Sequence, residues 1–175
     1  CGGVGLNVIQ SAALVGADKI IAVDLVDQKL QRALEFGATH TINSSENGFR
    51  KQVRALTGKK GADFAFEVIG NTAVMREAFQ SICRGGKLVL VGIPKPGEDV
   101  ALPAASLPLE EKSVLGTYYG SPRFWYDMPR ILDLYQSKKL KLDELVSRRF
   151  PLDDINTAIE VMEQGEVARS VIMYE

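Results

Sequence analysis

Residues 1–10 read CGGVGLNVIQ. Gly2, Gly3 and Gly5 crowd the first five positions, and apolar residues at helical spacing follow at once: Leu6, Val8, Ile9, Ala12, Ala13 and Val15. A strand turning sharply into a helix through G-x-G-x-x-G leaves bare N–H groups and the positive helix end facing one point, where an anion is held. Gly2 and Gly5 fit the second and third glycines of that pattern. The first falls one position ahead of Cys1. The chain is therefore expected to begin inside a dinucleotide-type fingerprint, with the first strand of the fold lying upstream of it.

Composition narrows the classes. The 175 residues, 46% hydrophobic and 25% charged, suit a globular chain with a real core. A net charge of −1 gives no basic surface, so neither a nucleic-acid nor a membrane partner is expected. No apolar run approaches the ~20 residues needed to span a bilayer. The two cysteines, Cys1 and Cys83, are too few and too far apart for a disulfide framework or a local metal knuckle. A reducing compartment, the cytoplasm, is the expected location.

Outward from the glycine turn, strand-like and helix-like stretches alternate. The first helix covers residues 5–15 and is closed by Gly16. KIIAVD (19–24) reads as a buried parallel strand, and DQKLQRALEFG (27–37) as a helix with Asp27 at its N-cap. THTIN (39–43) is a strand, 46–56 a helix, ADFAFEVIG (62–70) a strand, NTAVMREAFQSIC (71–83) a helix and LVLVG a further strand. A proline-rich connection spans 94–109, SVLGTYYG (113–120) holds the next strand, and Ser121-Pro122 opens a helix to about Gln136. The tail adds a strand near 145–150, a helix over 153–163 and a strand over 170–174. This rhythm predicts an α/β fold, a Rossmann doubly wound parallel sheet whose first strand is missing from the chain. With strand order 3-2-1-4-5-6, that strand would sit mid-sheet, so a gap is expected between the second and fourth.

The acid after the second strand sharpens the reading. Asp24 follows Gly2 by 22 residues, against the ~20 expected for the acid that accepts both hydroxyls of an adenosine ribose. A 2′-phosphate there would face a like charge, costing about 4 kcal/mol per unit pair at ~4 Å and an effective dielectric near ~20, before screening. The next residues are Leu25 and Val26, so no arginine waits for a phosphate. The cofactor expected is NAD rather than NADP.

The runs CGGVGLNVIQ, ADKIIAVD, FGATHTIN, GADFAFEVIG, GGKLVLVGIP, LGTYYG and GEVARSVIMY occur together and in order. In this the chain resembles the coenzyme-binding half of the zinc-containing, medium-chain alcohol dehydrogenases over essentially its whole length. The resemblance implies that amides around Gly2, Gly3, Val4 and Gly5 take the pyrophosphate, and that Lys29 joins Asp24 at the ribose. It implies Val68 and Ile69 as the adenine-side wall and Val91, Gly92 and Ile93 as the segment beside the nicotinamide. Thr117, Tyr118 and Tyr119 would orient the carboxamide, and Arg169 would reach the pyrophosphate, a task suited to a guanidinium fork.

The same resemblance implies a catalytic zinc in the full-length protein, held by cysteine and histidine (or acidic) ligands ahead of this chain. Neither Cys1, Cys83 nor His40 joins such a set, so no catalytic or metal-binding residue is expected here. Residues 1–120 are expected to form the NAD-binding domain, with 121–175 packing partly on the catalytic domain. VALPAASL (100–107) resembles the region where the family's subunits pair, implying a homo-oligomer, dimer or tetramer. The implied reaction is hydride transfer between a small alcohol or aldehyde and NAD. The rival readings are a zinc-free quinone or enoyl reductase domain, a non-catalytic NAD-sensing module and a methyltransferase. Asp24 argues against the reductase, and the GGVG, GADFAFEVIG and LVLVG succession against the methyltransferase.

Overall fold

A computed structural model describes residues 1–165 and 167–174. In chain order the elements are α1 (Gly3–Leu14), β1 (Ile21–Asp24), α2 (Asp27–Glu35), β2 (His40–Asn43), α3 (Arg50–Leu56), β3 (Ala62–Glu67), α4 (Thr72–Ser81) and β4 (Ile82–Leu90). They continue with α5 (Ser106–Glu110), β5 (Ser113–Gly116), α6 (Phe124–Gln136), β6 (Arg148–Pro151), α7 (Ile155–Glu163) and β7 (Ser170–Met173). Two compact units result, residues 1–41 with 124–175 and residues 42–123.

In the first unit, α1 buries Gly5, Leu6, Ile9 and Gln10. Its end is a Schellman closure: the Gly16 N–H donates to the Ala13 carbonyl and the Ala17 N–H to the Ala12 carbonyl, each at 3.0 Å. Gly16 meets that demand at φ +77°, where a Cβ would crowd the backbone. Leu6, Ile9, Ile20, Ala22, Leu30, Ala33, Phe36, Ala38 and Leu145 form one buried cluster. Leu145 reaches it from far along the chain. The same tie is made by Gln10, whose side chain donates to the Lys141 carbonyl at 3.1 Å and accepts from its N–H at 2.9 Å. β6 and β7 run parallel, from Arg148 opposite Ser170 to Pro151 opposite Met173.

In the second unit, β3, β4 and β5 form a parallel sheet in that order. Met75, Ala78 and Phe79 from α4 are buried, as are Ile82 and Leu88 of β4, the latter at 0% exposure. Asn71 caps α4, its side chain accepting from the N–H groups of Ala73 and Val74.

The α/β character and parallel pairing are as expected. β1 pairs with β2, and among the described residues no pairing joins them to β3–β4–β5. Several boundaries move. α1 begins at Gly3, so the glycine turn already belongs to the first helical turn. The N-cap of α2 is Val26, with Asp27 the first helical residue, where its charge still favours the helix start. The helix expected from 46 starts only at Arg50, two residues past Gly48 at φ +63°. Pro122 precedes α6 instead of opening it, and Pro129 lies inside that helix. A short helix, α5, interrupts the proline-rich connection.

Candidate functional site

In an open parallel sheet, ligands gather beyond the carboxyl ends of the strands. Of the residues singled out in the sequence, Asp24 and the three segments after β3, β4 and β5 stand at such ends, whereas the glycine turn opens α1, Lys29 lies in α2 and Arg169 precedes β7.

In the first unit, Gly2 is the extended N-cap of α1. No side chain caps it, and the first turn holds no acidic residue. Gly5 is buried and Val4 exposed. Gly3 owes its identity to a contact invisible in sequence: a Cβ there would sit 2.8 Å from the Ala168 carbonyl oxygen. The backbone ahead of Arg169 thus lies directly against the turn. That strand-entry segment is anchored in turn, since the Ala168 N–H donates to Ser147 Oγ at 3.0 Å and the Ser147 N–H to the Arg169 carbonyl at 2.9 Å. Arg32 completes the brace by donating to Ser147 Oγ and the Glu144 carbonyl. Arg169 itself is exposed.

Asp24 closes β1. Its Oδ1 accepts from the N–H groups of Leu25 (2.8 Å) and Val26 (3.1 Å), and its Oδ2 from the backbone nitrogen of Cys1 (2.5 Å). Burial pushes this carboxyl up. The Val26 N–H and the Lys29 charge pull it the other way. Lys29 thus acts on the acid through space. Its Nζ also approaches the second half of the chain: a Cβ on Gly165 would lie 3.2 Å from it.

In the second unit, the predicted residues follow the ends of three adjacent parallel strands. Val68 and Ile69 come after β3, Val91, Gly92 and Ile93 after β4, and Thr117, Tyr118 and Tyr119 after β5. Ile69 and Ile93 are 71% and 76% exposed, an apolar surface that a core would normally have taken. The first two segments touch closely, since a Cβ on Gly92 would fall 2.1 Å from the Gly70 nitrogen. The third is tied back by the Thr117 N–H donating to the Leu90 carbonyl (3.0 Å) and by a 2.9 Å hydroxyl contact between Thr117 and Ser121. Tyr118 and Tyr119 meet edge to face at 4.6 Å, with Tyr119 in the left-handed region at φ +50°.

One residue went unread in the sequence. Glu67, 2% exposed, ends β3 and lies among backbone donors. An acid closing the otherwise apolar run FAFEVIG was the signal that marked it. Among the described residues no group of three or more His, Cys, Asp and Glu is placed to hold a metal ion. No helix among them is long and apolar enough to cross a membrane.

A parallel-stranded α/β unit with a glycine turn opening a helix and an acid after the next strand is the architecture of a dinucleotide-dependent dehydrogenase domain. Residues 3–137 match the family model described as zinc-binding dehydrogenase, and the chain belongs to that family. It is 40% identical over 176 residues to the NDMA-dependent alcohol dehydrogenase of Amycolatopsis methanolica, covering 99% of this chain and 47% of that protein. It is 38% identical over 181 residues to the S-(hydroxymethyl)glutathione dehydrogenase of Paracoccus denitrificans, covering 99% and 48%. The crystal structure of benzyl alcohol dehydrogenase from Acinetobacter calcoaceticus superimposes with a TM-score of 0.94 at 32% identity, over 99% of this chain and 48% of that one. The chain spans about half the length of the curated relatives it matches.

Proposed function

We propose that this chain is the NAD-binding half of a zinc-dependent alcohol dehydrogenase that moves a hydride between a small alcohol or aldehyde and the nicotinamide. The observation that carries the reading is Asp24, held by backbone N–H groups at the end of β1, with Leu25 and Val26 following it and Lys29 near by. A carboxylate has about four acceptor sites. It can grip a ribose diol, and it repels a 2′-phosphate.

The other roles follow from residue chemistry. The uncapped start of α1, at Gly2, Gly3, Val4 and Gly5, binds the pyrophosphate, and Arg169 supplies the countercharge from the segment lying against Gly3. Val68 and Ile69 offer the adenine an apolar wall. Val91, Gly92 and Ile93 flank the nicotinamide, and backbone groups of Thr117, Tyr118 and Tyr119 orient its carboxamide. NAD, when bound, supplies the hydride acceptor. Residues 1–120 constitute the coenzyme-binding part, and 121–175 pack partly on the catalytic part. The zinc ligands belong to that part, so no step at the metal is assigned to residues of this chain. The family resemblance favours a cytoplasmic homo-oligomer, dimer or tetramer.

The test is an NADH fluorescence titration beside an NADPH titration, with zinc analysis of the full chain together with whatever polypeptide accompanies it in the cell. Tighter binding of NADH, zinc and alcohol oxidation support the proposal. NADPH preference without zinc would move the protein to the reductase branch, and NADH binding without turnover would make it a sensor.

A further inference from the structure

We propose that Glu67 is a positioning residue that locks the adenine-side loop (68–71) to the nicotinamide-side loop (91–93), making the two one platform for the coenzyme. The inference rests on the NAD reading above. Its basis is a set of five backbone donors converging on one residue. The carboxylate accepts from the N–H of Ile69 at 2.9 Å, of Gly70 at 2.9 and 3.1 Å (one contact to each oxygen) and of Asn71 at 3.3 Å. The carbonyl of the same residue accepts from the N–H of Val91 at 2.8 Å and of Gly92 at 3.0 Å. Its side chain shapes one loop, and its main chain fixes the other.

The glycines leave this junction no slack. A Cβ on Gly70 would stand 2.3 Å from the Ile93 carbonyl oxygen, and one on Gly92 2.1 Å from the Gly70 nitrogen. Backbone therefore rests on backbone, and a shift of either loop is passed to the other. A buried carboxylate is a costly way to finish a strand unless its donors are needed where they are. Here they are the N–H groups of the turn that carries Val68 and Ile69 and starts α4. Displacing the carboxylate frees that turn to relax. Through the Gly70–Gly92 contact it also moves Val91 and Ile93, the residues assigned to the nicotinamide.

Glu67→Gln keeps the shape and an oxygen for the Ile69, Gly70 and Asn71 N–H groups, but removes the charge that strengthens those bonds and sets an NH2 against the Gly70 N–H that Oε2 accepted at 3.1 Å. Glu67→Asp keeps the charge and withdraws it by one methylene. Both variants and the wild type, as the full chain, are titrated with NADH and with ADP-ribose, which lacks the nicotinamide. A merely structural role lowers both affinities by one common factor, because only folded molecules bind either ligand. The positioning role predicts unequal factors: about tenfold for NADH and about threefold for ADP-ribose in Glu67→Gln, with Glu67→Asp between it and wild type. Equal factors, or unchanged affinities, overturn the role assigned to Glu67 while leaving the NAD reading intact. Failure of the wild type to bind NADH overturns that reading and this inference with it. Should Glu67→Gln not fold, the same comparison in Glu67→Asp decides the matter.

Discussion

Replacing Asp24 with serine removes the charge that separates the two nicotinamide cofactors while leaving a hydroxyl for the ribose. NADH binding should weaken about tenfold and NADPH binding should improve, read as two dissociation constants in parallel titrations. An unchanged preference would show that the acid is structural only. The geometry explains why the two roles are entangled. Asp24 Oδ1 accepts from the Leu25 and Val26 N–H groups, so the acid also holds the turn into α2. The sequence pointed to Asp27 for that capping work, because it stands where a helix pattern starts. The chain instead begins the helix with Asp27 itself, behind an uncapped Val26. Local spacing did not show that these hydrogen bonds fall to Asp24 and not to Asp27.

Helix starts in this chain are held in two different ways. Asn71 is the local kind, capping α4 through the N–H groups of Ala73 and Val74, and Asn71→Ala should cost about 1 kcal/mol in chemical denaturation. The start of α3 is held from a distance. Glu77 of α4 accepts from the N–H groups of Phe49 (2.6 Å) and Arg50 (2.9 Å), so one helix caps another. Glu77→Ala should therefore cost about 1–2 kcal/mol, and hydrogen exchange should quicken at 49–50 while the amides of α4 keep their protection. Uniform loss of protection across both helices would contradict this division of labour. The contrast also explains which boundaries the sequence showed. Asn71 and the glycine closures after α1 and α2 act within a few residues and were legible. The late start of α3 depends on a partner 28 residues on and was not.

At the scale of the whole molecule, Gln10 ties the first helix to Lys141 in both directions, so Gln10→Ala should cost about 1–2 kcal/mol in chemical denaturation, and an unchanged midpoint would refute the tie. By itself the sequence determined the alternation of strands and helices, the parallel sheet, the glycine turn and the spacing of its acid. Each of those depends on side-chain period, backbone freedom or charge within a short stretch. Tertiary structure alone decided that Ala168 would press on Gly3, that Gln10 would hold Lys141, and that Glu67 would gather donors from two loops. Such contacts join residues far apart in the chain. They form because burying the apolar faces leaves polar backbone that must find partners in whatever segment packing brings near.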